Sequence, residues 1–186
     1  MGAANLPAVS DAYTVYWPRD RCRRLAAVVT TGRALEVLFG GPHLSEPSFR
    51  RAQVTAGDLV YPITVDRQVL YVLGRMRVTD IVTPGAEGIG HWFDRFPLWR
   101  WLASFCTTEV VLGTEGIPLR LDAALPGDVL RRLTYRSRRG SRTVAHVSDD
   151  GRLVHSLGVQ GIYRLAPPCA ADLDAVLARP RATPVA

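Results

Sequence analysis

Six arginines fall within twelve residues, Arg131, Arg132, Arg136, Arg138, Arg139 and Arg142, with Tyr135 among them. Guanidinium forks match phosphate oxygens and an adjacent aromatic ring stacks on a base, so this run is the strongest nucleic-acid element in the sequence. A solvated hairpin or loop in an arginine-rich chain would have the same composition. Glu36 is a second candidate, because it interrupts the apolar run 35–39, where a carboxylate is costly without a partner. There it accepts a hydrogen bond from a base or serves as a general base; alternatively it pairs with Arg33 or faces water on the outer side of a strand. The aromatics Trp92, Phe93, Phe96, Trp99, Trp101 and Phe105 suit either a cage for an unstacked base or a core.

Other chemistries lack their residues. His43, His91, His146 and His155 show no i, i+4 spacing with a carboxylate of the kind zinc hydrolases use, and no metal is expected. Among them His43, in the loop after Glu36, is the one suited to acid–base work, with an exposed loop histidine as the alternative. Cys22, Cys106 and Cys169 are odd in number and far apart, which fits a reducing cytoplasm and no zinc site. Residues 85–90 form neither a P-loop nor a dinucleotide turn, and no Gly-x-Ser-x-Gly elbow occurs. No cofactor is expected, and no residue is assigned a catalytic role.

The elements that must position these groups follow from pattern and breakers. Residues 13–17 are aromatic and β-branched and predict a strand, and Pro18 presets a helix start. In that helix Cys22, Leu25, Ala26 and Val29 fall at i, i+3, i+4 and i+7 and are expected inward, with Gly32 as the stop. Residues 34–39 predict a short buried strand, followed by a Gly40-Gly41-Pro42 break and a polar loop to Ser48 suited to a pocket mouth. After a turn at 56–58, Leu59, Tyr61, Ile63 and Val65 alternate with their neighbours in a strand that Pro62 assigns to a sheet edge. The chain turns at Asp66-Arg67-Gln68 and returns over 69–82 with Gly74 at a bend, Arg75 and Arg77 sharing one face.

Further on, a short helix is expected over 98–105, a strand over 109–112, a turn at 113–116 and a helix from Pro126 with Val129, Leu130 and Leu133 inward. A hairpin is expected over 143–147 and 152–156, a last strand over 161–165, and a closing helix with Cys169, Leu173, Val176 and Leu177 inward. This is an α+β plan, and short bent strands favour closure into a small β-barrel with flanking helices. At 186 residues the chain supports a single domain over 11–180, with flexible ends at 1–10 and 181–186. No secretory leader pattern and no run of eighteen apolar residues is present, so a soluble protein without a membrane partner is expected. The net charge of +6 points to a polyanion, but all 23 basic residues are arginine, and GC-rich coding accounts for that bias equally well.

The run Thr31-Gly32-Arg33-Ala34-Leu35-Glu36, followed about twenty residues later by Ala56-Gly57-Asp58-Leu59-Val60, resembles the PUA-like superfamily, and within it the ASCH branch most. The stretch Val72-Leu73-Gly74-Arg75-Met76-Arg77-Val78 is similar to the strand by which ASCH, EVE and YTH domains continue their barrel, so the resemblance covers about residues 13–82. It implies a PUA-like barrel and a cleft between the first strand, the first helix and the barrel, with Trp17 and Tyr61 as cage residues beside Arg33 and Glu36. The ASCH signature Gly-x-Lys-x-x-Glu-x-Arg is met only at Gly32 and Glu36. Arg33 or Ala34 stands in the lysine slot and Leu38 or Phe39 in the arginine slot.

Binding is therefore expected ahead of catalysis: RNA or a modified base held by Trp17, Arg33, Glu36, Tyr61, Arg75 and Arg77, with Arg136, Arg138 and Arg139 on phosphates. The alternatives are an ASCH-type hydrolase or ribonuclease using Glu36, and a protein-interaction module using the aromatic segment.

Overall fold

The computed structural model describes residues 10–27, 32–43, 46–85 and 88–180. The expected loose ends, apart from Ser10, and the expected roles of Val29 and Thr31 lie outside the described residues. Strand β1 (Ala12–Tyr16) passes through Pro18 into helix α1 (Arg19–Ala27), where the missing proline N–H falls on a position that needs no donor. Then come β2 (Val37–Gly40), β3 (Leu59–Asp66), β4 (Val69–Val72) and β5 (Arg75–Val82). A short helix α2 (Gly90–Arg95) runs into a 3-10 turn at Pro97–Leu102, and β6 (Glu109–Ile117) follows. The rest is α3 (Gly127–Arg132), the hairpin β7 (Thr134–Ser137) and β8 (Gly140–Thr143), β9 (Ile162–Leu165) and α4 (Pro167–Leu177).

The nine strands form one sheet in the order β2-β6-β5-β3-β1-β9-β7-β8, with β4 added to β3. β1 runs parallel to β3 and antiparallel to β9. The α+β class holds, but the path ends at β2 and β8, which do not pair with each other, so the expected closed barrel is not formed. The reason is visible in the core. Tyr61 and Ile63 pack on one face with α3 and α4, and Tyr13, Val15, Trp17 and Val60 pack on the other with Leu25 and the 92–102 aromatics. A sheet buried on both faces needs no closure to hide its apolar side chains.

The 58–82 hairpin is present. Arg67 and Gln68 both take positive φ, 47° and 67°, the two-residue turn that matches strand twist. Gly74 sits at the break between β4 and β5, where an added Cβ would meet the Leu119 side chain at 2.9 Å and the Ile117 carbonyl at 3.1 Å. Pro62 does not mark an edge: β3 is interior, with β1 on one side and β4 and β5 on the other. Leu73 N–H donates to the Pro62 carbonyl, so Pro62 faces the interrupted stretch of ladder, where its missing N–H costs little.

Two further expectations are corrected. Residues 113–116 are no turn but part of β6, whose pairing with β5 shifts register twice. Gly116 is required there by close approach, since a Cβ would lie 2.3 Å from the Leu35 carbonyl. The 143–147 and 152–156 hairpin reduces to one bridge, Val147 to Leu153, because residues 140–143 pair with β7 instead. In α1 only Leu25 is buried, and Ala26 is exposed. The closing helix buries Cys169, Leu173, Val176 and Leu177 as expected.

Candidate nucleic-acid interface

Cross-strand register builds the site. Tyr13 lies opposite Arg164, Arg164 opposite Arg136, and Arg136 opposite Ser141, so these four share one row and one face of β1, β9, β7 and β8. That face is covered by α1 and the aromatic segment further along the sheet, but at this end it opens into a cleft of about 500 Å³ lined by Arg51, Gln53, Arg136, Arg138 and Arg164. Four arginines from three separate chain segments line it.

The opposing wall is the turn at 48–53, held by the buried carboxylate of Glu109 on β6. Ser48 Oγ donates to Glu109 Oε1 at 2.5 Å and Phe49 N–H to Oε2 at 2.8 Å, while Arg51 N–H donates to Ser48 Oγ at 3.1 Å. Tyr13 joins wall and floor: its hydroxyl donates to the Gln53 carbonyl at 3.0 Å and accepts from Arg164 Nε at 3.1 Å. Burial pushes the Tyr13 phenol above its usual pKa against the pull of Arg164, so it remains a neutral donor across the physiological range. Arg164 also meets Asp11 at 3.4 Å, which fixes the guanidinium and offsets part of its charge. A second recess, of about 310 Å³, shares Arg51, Ala52 and Ile162 with the cleft and continues past Pro42, His43 and Pro47. From the loop expected to shape a pocket mouth, the described residues Pro42, His43, Pro47 and Ser48 line this recess.

The arginine run does not act as one patch. Arg136 and Arg138 line the cleft, and Arg139 is exposed at the hairpin tip, its backbone N–H donating to Ser137 Oγ. Arg142 lies on the other face, 4.9 Å above the Tyr163 ring and 5.5 Å from Tyr135. Arg131 donates to the Asp149 carbonyl, and Arg132 is held between Asp128 and Asp172. Tyr135 is 2% exposed, so it is core and not a stacking platform.

The expected cage is not assembled. Trp17 and Tyr61 are both 0% exposed and belong to cores on opposite faces of the sheet. Trp17 packs edge-on against Trp101, and the Tyr61 hydroxyl donates to Asp174 at 3.0 Å. Arg75 donates to both oxygens of Asp174, so this trio ties α4 to the sheet. Arg77 is held by Glu115 and the Gly57 carbonyl. Arg33 and Glu36 are exposed at the entry to β2, the far end of the strand order from β7, and line neither recess. Glu36 escapes the cost of a buried carboxylate because β2 begins only at Val37, leaving it outside the buried strand.

Residues that sequence reasoning missed are Arg51, Arg164, Tyr13 and Glu109. Arg164 had a signal, since in Ile162-Tyr163-Arg164-Leu165 it interrupts an otherwise apolar strand, but its neighbours depend on pairing with β1 and β7. Among the described residues no group of three or more His, Cys, Asp or Glu is placed to hold a metal ion, and no helix is long and apolar enough to cross a membrane.

Neither protein-family models nor curated proteins gave a match to this chain. Fold and site define an α+β domain with an open mixed sheet and an arginine-lined cleft at one end.

Proposed function

We propose that this chain is a nucleic-acid-binding module for single-stranded RNA, taking the strand along the arginine cleft. The observation that carries the proposal is the convergence of Arg51, Arg136, Arg138 and Arg164 on one face around a recess of about 500 Å³. Arginine in that density selects phosphate, and four guanidiniums around one opening suit a chain of phosphates better than a single small anion. The neighbouring recess past Pro42 and Pro47 is where an unstacked or modified base would sit, in place of the cage expected from Trp17 and Tyr61. A divergent PUA-like origin remains part of the proposal as the source of the 58–82 hairpin, and binding without catalysis goes with it, since Glu36 lies away from the cleft.

The test is fluorescence anisotropy with labelled single-stranded RNA and the matched duplex, using the full chain and Arg136→Ala/Arg138→Ala. The single strand binds more tightly than the duplex, and the double variant loses about tenfold to a hundredfold in affinity, the effect of losing two charge-assisted contacts. Equal binding by the double variant would refute the proposal.

A further inference from the structure

A third recess is unrelated to the arginine cleft and to the recess beside it, and shares no lining residue with either. It lies between α1 and the β3–β4 hairpin and measures about 440 Å³. Arg19, Cys22, Arg23 and Ala26, at i, i+3, i+4 and i+7, form one stripe of α1 along its side. Val65, Tyr71 and Leu121 form the other wall. This is why α1 buries only Leu25: along the stripe the helix stands off the sheet without filling the gap.

The interior offers little hydrogen bonding. Thr64 Oγ1 already donates to the Trp17 carbonyl at 2.9 Å, and burial pushes the Cys22 thiol up, which keeps it a neutral, apolar wall. The rim is charged. Arg19 meets Asp66 at 3.2 Å and Arg23 meets Asp20 at 3.3 Å, and the four side chains are 42–82% exposed. The exposed Arg23–Asp20 pair contributes about 0–1 kcal/mol, so Arg23 yields readily to a better-placed anion, while Arg19 stays on Asp66, whose Oδ1 is buried, and offers its remaining N–H groups. Two arginines and one aspartate line the opening, which biases it toward negative charge.

We propose that this recess is a binding site for a small organic acid, with an aliphatic or aromatic body against Cys22, Ala26, Val65 and Leu121 and a carboxylate at Arg19 and Arg23. The volume lies in the range of small-molecule pockets, and an apolar interior with charge only at the mouth is the pattern such ligands fill. An acid is selected over an alcohol of the same length by the rim, and over a short polar acid by the walls.

Isothermal titration of the full chain with octanoate, octanol and octylammonium tests this. Octanoate binds one to one, and octanol and octylammonium bind about tenfold more weakly, as expected when one charged contact is lost. Ala26→Trp fills the recess from an exposed helix position, and Cys22→Phe fills it from within. Each lowers octanoate affinity by about tenfold while the circular dichroism spectrum is unchanged. Arg19→Gln/Arg23→Gln reduces octanoate to the affinity of octanol and leaves octanol as it was. Equal binding of octanoate and octanol by the parent protein, full octanoate affinity in folded Ala26→Trp, or no octanoate binding at millimolar concentration would each overturn the proposal.

Discussion

Arg138→Ala removes one of four guanidinium groups in the cleft without touching a buried contact, since Arg138 is exposed in the β7–β8 turn. For single strands the slope of log affinity against log salt is about −0.7 for each phosphate neutralised, so four arginines give about −2.8. Between about 50 and 200 mM salt that slope lowers affinity about 50-fold, whereas the three arginines left in Arg138→Ala give about −2.1 and a loss near 20-fold. Arg164 is shared with Asp11, which moves the parent slope toward the smaller figure but leaves the difference of about 0.7 intact. The assay is anisotropy of a labelled RNA of about 12 nucleotides, a length one small domain can occupy, over a salt series. Arg100→Ala serves as the control, because Arg100 lies over the Phe93 ring in the aromatic segment and does not line the cleft. A flat salt response in the parent protein, or an equal slope change in Arg100→Ala and Arg138→Ala, would refute the assignment of phosphates to this cleft.

Three further outcomes follow from particular contacts. Glu109→Gln keeps the shape but loses the charged acceptor for Ser48 and Phe49, so it should cost about 2–3 kcal/mol in urea unfolding and weaken RNA binding by loosening the Arg51 wall. Unchanged affinity in a destabilised Glu109→Gln would separate that turn from binding. Arg120 is 7% exposed and joins Asp122 to the carbonyls of Leu177, Arg179 and Pro180, so Arg120→Ala should lower stability by about 3–5 kcal/mol in chemical denaturation. A change below about 1 kcal/mol would show that this end of α4 is held by its apolar face alone. The hydrogen bond from Arg132 holds the Asp128 carboxyl below the ordinary carboxylate range. A depressed pKa stabilises the fold above the unfolded value and loses that effect as pH falls through the folded value. The melting-temperature gap between the parent protein and Asp128→Asn should therefore be full at neutral pH and close in acid; a gap independent of pH contradicts the pairing.

Local patterns determined much of this protein. Alternation in Leu59-Val60-Tyr61-Pro62-Ile63, the Arg67-Gln68 turn, the Gly74 bend and the 3.6-residue spacing of Cys169, Leu173, Val176 and Leu177 all depend on near neighbours, and each element is present. Arg136 and Arg138 were marked by arginine density alone. Which face each arginine occupies was decided by strand register, since a shift of one residue moves a side chain to the other side of the sheet. Register sent Arg136 to the cleft and Arg142 to the Tyr135–Tyr163 pair, and it brought Arg164 beside Tyr13, 151 residues away in the chain. Tertiary structure also decided the fate of Trp17 and Tyr61. Residues at odd and even positions of neighbouring strands look alike in sequence, but a sheet buried on both sides sends them into separate cores. For the same reason the sheet stays open, and its uncovered end becomes the place where arginines meet solvent.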